Sequence, residues 1–155
     1  MRTKAVRIYG KDDLRLEEFE LPQIKEDEIL AQVICDSICM SSYKATQQGA
    51  DHKRIPNDVH IHPTIIGHEF SGVLKEVGKK WAGKFKAGMK FSIQPAINYA
   101  DGPVGIQGAP GYSYRYIGGD ATYVVIPNEV MEMNCLLPFS GKGFYPGALA
   151  EPLSC

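Results

Sequence analysis

At 155 residues, with 44% hydrophobic and 23% charged side chains, the chain is long enough for one domain with a buried core and is ordinary in composition for a globular protein. A formal net charge of −1 leaves no electrostatic case for nucleic acid or an anionic membrane as the main partner. The opening Met1-Arg2-Thr3-Lys4 is polar, no apolar signal segment follows it and no run is long enough to span a bilayer, so a cytoplasmic protein is expected.

In chain order, residues Lys4 to Tyr9 read as a strand. Leu14-Arg15-Leu16 begins an alternating run that ends near Leu21-Pro22. Residues Glu28 to Cys35 read as a buried strand, and residues 40 to 48 as a short helix stopped by Gly49. Residues 51 to 63 are rich in His, Pro, Asn and Asp and read as loop. Residues Phe70 to Val77 return to strand until Gly78, and Met89 to Ile93 form another after the turn at Ala87-Gly88. Residues 95 to 119 are expected to be one long Gly/Pro/Tyr-rich loop, and loops of that length in a domain are commonly functional. Ala121 to Ile126 and Val130 to Leu136 are expected to be the last strands, with Gly147 to Cys155 starting a helix. Many short strands punctuated by glycine predict a mainly β fold, a barrel or sandwich with short helices and long loops.

The four cysteines, at 35, 39, 135 and 155, form no Cys-x-x-Cys pair, so packed free thiols are the default reading. Cys35 reads as a core residue at a strand end. Cys39 stands apart, because it lies in a polar turn and the chain also offers Gly67-His68-Glu69 and a late carboxylate, Glu151. Zinc takes thiolate, imidazole and carboxylate ligands, and catalytic sites keep one position open. Taken alone, His68 would be a loop histidine bonded to backbone, Glu69 a solvated charge and Cys39 a small buried hydrophobe. His60-x-His62 could form a second metal pair, but the flanking prolines favour loop. Tyr112, Tyr114 and Tyr116 could line a pocket or pack the long loop.

The segment from Ile66 through Gly78 resembles the Gly-His-Glu signature of the zinc-dependent medium-chain dehydrogenases, which are alcohol dehydrogenase-like. Lys4-Ala5-Val6, the Cys39 turn and Glu151-Pro152-Leu153 fall in the same order and spacing. The resemblance implies a GroES-like β-barrel over residues 1–146 and, over 147–155, the start of a linker helix to a nucleotide-binding Rossmann domain absent from this chain. It implies one catalytic zinc on Cys39 and His68 with Glu69 or Glu151, and a proton-relaying hydroxyl at Ser41. Asp36-Ser37-Ile38-Cys39-Met40-Ser41, His52-Lys53-Arg54 and Gly111-Tyr112-Ser113-Tyr114 look like the family's sugar-phosphate branch. That branch implies a ketose (phosphate) and a polyol (phosphate) as the interconverted pair, NAD(H) or NADP(H) bound by the complete enzyme only, and a homo-oligomer. A phosphate would need a cationic cradle, for which Lys44, Lys53, Arg54 and Arg115 are the candidates; a solvated loop face is the competing account of Lys53 and Arg54.

The usual Cys-Gly-Thr-Asp turn is here Cys39-Met40-Ser41-Ser42, and Lys44 stands where a relay histidine is common. Residues 95 to 119 carry no cysteine, so no structural zinc is expected. Gly141-Lys142-Gly143-Phe144-Tyr145-Pro146-Gly147 places its third glycine one residue late for a dinucleotide fingerprint and reads as loop. The alternatives are a non-enzymatic GroES-like barrel used for assembly or partner binding, and a metal-free quinone-reductase-like relative. Neither needs Cys39, His68, Glu69 and Glu151 together.

Overall fold

The computed structural model describes residues 1–154. Two sheets share one core, and every strand pairing in them is antiparallel. The first sheet has the order β2-β1-β4, from β1 (Arg2–Gly10), β2 (Asp13–Glu20) and β4 (Thr64–Ile65). The second has the order β8-β3-β5-β6-β9, from β3 (Ile29–Asp36), β5 (Phe70–Val77), β6 (Lys90–Ile93), β8 (Tyr123–Ile126) and β9 (Leu136–Phe139). A bridge between Ala5 and Ala121 joins them. Among the described residues no helix is long and apolar enough to cross a membrane.

Ala5 and Ile8 lie on opposite faces of β1 and are buried in two different clusters, while Arg2 and Lys4 stay exposed. Ile29, Ala31, Phe70, Leu74, Phe91, Val124 and Ile126 fill the main core, with the Phe70 and Phe91 rings edge to face at 6.0 Å. A second cluster matters more for chemistry. Ile8, Ala45, Ile55, Val59, Ala109 and Tyr112 tie β1, helix α1 (Met40–Gln48) and two long loops into one small apolar knot.

Several expectations need correcting. Val130 to Leu136 is not one strand: Asn128–Glu132 forms a helix, α2, and β9 starts only at Leu136. Pro127 ends β8 with a φ suited to opening a helical turn, and Asn134 at φ 55° then redirects the chain into β9. The segment 95–119 is not unbroken loop, since Pro103–Ile106 is extended as β7, which belongs to neither sheet. Thr64–Ile65, just beyond the expected loop, pairs with β1. Cys35 is half-buried rather than core, because the register shift between Val33 and Cys35 turns that end of β3 out of the main packing. The expected C-terminal helix is two short pieces, α3 (Tyr145–Ala148) and α4 (Ala150–Ser154), and Cys155 lies outside the described residues.

Candidate metal centre

Cys39 sits at the N-terminal boundary of α1 in extended conformation, so its side chain leaves the helix start rather than joining the helix face. His68 and Glu69 lie in the turn between β4 and β5, where Gly67 at φ 91° reverses the chain. The ligand atoms of Cys39, His68 and Glu69 all lie within 4.8 Å of one another. His68 and Glu69 are 5% and 3% exposed, which is rare for two polar side chains unless their groups are engaged.

The partners of those groups sort the site. Ser42 Oγ lies 3.2 Å from His68 Nδ1. With Ser42 as acceptor the proton stays on Nδ1 and the Nε2 lone pair faces the cysteine and the carboxylate, the arrangement a metal-binding imidazole needs. Burial lowers the His68 pKa, and the Arg54 charge lowers it further against the opposing pull of Glu69. The ring is therefore neutral, and its 3.5 Å approach to Glu69 Oε1 is a dipolar contact rather than an ion pair. Burial pushes the Glu69 carboxyl up, but hydrogen bonds from Ser37, Glu151 and Cys39 outweigh it and hold the group below its ordinary value. A neutral imidazole, an ionised carboxylate and a thiol form a donor set that fits zinc.

Ser41 Oγ lies 2.9 Å from Cys39 Sγ and 3.4 Å from His68 Nε2. The Tyr112 hydroxyl donates to it at 3.0 Å. Tyr112 is 2% exposed and its ring sits 4.8 Å from that of His68.

Of the residues singled out in the sequence, Cys39, Ser41, His68 and Glu69 come together. Glu151, on α4, is outside the three-residue group and reaches it through its hydrogen bond to Glu69. The four cations do not share a place. Lys44 is exposed on α1, Lys53 lines a groove with Asp51 and His52, and Arg115 faces a hollow beside Pro22, Lys25 and His62. Arg54 is half-buried with its guanidinium 5.5 Å from the centre of the Tyr112 ring. His60 and His62 lie in consecutive turns, not on a strand. Ser37 and Ser42 had drawn no functional reading. The run of hydroxyls at 37, 41 and 42 around Cys39 was their only signal.

The sequence profile of the alcohol dehydrogenase GroES-like domain matches residues 25–135. The chain belongs to that family. It is 54% identical over 153 residues to an L-sorbose 1-phosphate reductase from Klebsiella pneumoniae, covering 99% of this chain and 36% of that protein. It is 44% identical over 154 residues to a mannitol-1-phosphate 5-dehydrogenase from Aliivibrio fischeri, covering 99% of this chain and 35% of the relative. The crystal structure of 2R,3R-butanediol dehydrogenase from Bacillus subtilis superposes with a TM-score of 0.76 at 27% identity, over 97% of this chain and 44% of that one. The chain thus spans about a third of the length of the curated relatives it matches. The GroES-like, mainly β fold expected from the sequence is the fold observed.

Proposed function

We propose that this chain forms the metal-binding part of a zinc-dependent, nicotinamide-linked oxidoreductase that interconverts a ketose phosphate and a polyol phosphate, of the L-sorbose 1-phosphate reductase type. The observation that carries the reading is the convergence of Cys39, His68 and Glu69 within 4.8 Å, with a serine hydroxyl beside them. The names of the two relatives over almost the whole chain support the substrate class.

Cys39 and His68 would hold one zinc, with Glu69, hydrogen-bonded to Glu151, as the third ligand or as the group that orients the others. When bound, zinc supplies Lewis acidity toward the substrate oxygen, and the nicotinamide, NAD(H) or NADP(H), exchanges a hydride with the substrate carbon. The protein's share is to present the Cys39 sulfur beside a neutral His68, to exclude water around two buried ligands, and to offer Ser41 to the substrate hydroxyl. No second zinc is assigned, because residues 95 to 119 offer no thiol. Residues 1–146 are the catalytic barrel in this reading, and α3 and α4 lead toward the nucleotide-binding half.

Arg54 is the phosphate anchor. Of the four candidate cations it is the one tied to the metal group, through the Tyr112 ring. Its planar fork can give a phosphate two parallel hydrogen bonds. In the full-length enzyme, Arg54→Ala should raise KM for L-sorbose 1-phosphate or mannitol 1-phosphate by about tenfold or more while leaving KM for the free sugar or polyol nearly unchanged. Equal losses on both substrate types would remove Arg54 from the phosphate site. No nicotinamide-dependent turnover on either type would remove the reading itself.

A further inference from the structure

The segment of residues 109–113 crosses directly over the turn that carries His68. A Cβ on Gly111 would lie 2.0 Å from the Gly67 carbonyl oxygen, and the Gly111 N–H donates to the Ile117 carbonyl. The next residue is Tyr112. Its carbonyl accepts from the buried Thr64 hydroxyl at 2.7 Å, its ring is stacked on His52 with centroids 5.8 Å apart, and Arg54 lies over it. Backbone and ring are therefore both fixed, which sets the place of the hydroxyl oxygen beside Ser41 and Ser42.

That hydroxyl donates to Ser41 Oγ at 3.0 Å and also lies 3.5 Å from His68 Nε2. A serine hydroxyl has one proton to give and two lone pairs. With one lone pair taken by Tyr112, the Ser41 proton has Cys39 Sγ and His68 Nε2 as its neighbouring acceptors. Both of those atoms are the ones a metal engages. Once they are committed, the imidazole nitrogen has no lone pair left and the sulfur is a weaker acceptor than an oxygen, so a substrate oxygen brought to the open side of the site is the better acceptor for Ser41.

We propose that Tyr112 is a positioning residue, whose hydroxyl fixes the orientation of the Ser41 O–H so that the serine meets the substrate hydroxyl in a set direction. The inference rests on the oxidoreductase reading above. It explains how a hydroxyl from the cysteine-free 95–119 segment takes part in a site whose ligands come from elsewhere.

The test uses the full-length enzyme and the variants Tyr112→Phe, Ser41→Ala and the double variant. Tyr112→Phe keeps the ring and its stacking, so folding and metal content should match the parent. It should lower kcat for mannitol 1-phosphate by roughly tenfold, the scale of one lost hydrogen bond, with KM little changed. Since Tyr112 acts through Ser41, the double variant should be no worse than Ser41→Ala alone. A second readout needs no turnover. With cobalt replacing zinc, titrating mannitol 1-phosphate against the visible spectrum should show weaker binding in both single variants and no further weakening in the double one. Losses that multiply, or a Tyr112→Phe enzyme equal to the parent in both readouts, would overturn the role of Tyr112. An enzyme that binds cobalt and mannitol 1-phosphate without nicotinamide-dependent turnover would instead defeat the oxidoreductase reading, and the spectral titration would still decide Tyr112.

Discussion

The Ser42 hydroxyl, 3.2 Å from His68 Nδ1, is placed to hold the proton on that nitrogen and so to leave Nε2 free for a metal. A second single-residue effect, on pH dependence, lies next to the metal group at Asp36. Asp36, at the end of β3, presses its carboxyl against the chain at Gly119, where a Cβ would come within 2.0 Å of Oδ1. Burial, and then the neighbouring Asp120, push its pKa from 3.8 up to about 9. The folded protein thus keeps a proton that the unfolded chain releases. Asp36 contributes stability that is fully present below 3.8 and is drained as the pH climbs toward about 9. Asp36→Asn keeps a hydrogen-bond donor but cannot ionise. Urea midpoints at about pH 5 and about pH 8 should therefore fall with pH in the parent and fall less in the variant. Identical slopes would contradict this account of Asp36.

At the scale of elements, the site depends on the crossing of the 109–113 segment over the turn between β4 and β5 as well as on the pairing of β3 with β5. Gly111 has φ 77° and packs on the Gly67 carbonyl, so Gly111→Ala adds both a left-handed alanine and a backbone clash. The conformational part alone costs about 1–2 kcal/mol, and the clash adds to it. Thermal unfolding should move well below the parent, whereas Gly83→Ala, with nothing within 4 Å of its new Cβ, should leave it in place. Elements whose signal is local were legible in the sequence. The strand read from the apolar residues of β1, the strand from Phe70 to Val77 and the Gly49 stop of α1 are all where the sequence put them. Val130 to Leu136 was misread because Val130, Met131, Cys135 and Leu136 are all buried, and a short apolar run has no period that separates a helical turn from a strand. β4 was invisible because two residues carry no pattern at all.

At the scale of the whole molecule, the candidate centre draws on the start of α1, the β4–β5 turn and, through Glu69, α4. The residue types were readable from short motifs, since Cys39 and Gly67-His68-Glu69 each stand in a recognisable context. Their convergence was not readable, because residues 39 and 68 meet through the pairing of β3 with β5, which sets Asp36 opposite Phe70, while Tyr112 is held beside them by a separate cluster from β1, α1 and two long loops. For the same reason Tyr112 could be noted as an aromatic near a loop but not placed on Ser41. A metal bound here would also link these segments and stabilise the folded state in proportion to its affinity. The most direct test of the central claim is the zinc content of the purified protein, by elemental analysis, beside that of a Cys39→Ser variant. About one zinc per chain in the parent and a large loss in the variant is the predicted result, since a thiolate is among the strongest ligands zinc can take. A folded parent that holds no zinc when it is supplied, or a variant that binds zinc as the parent does, would contradict it.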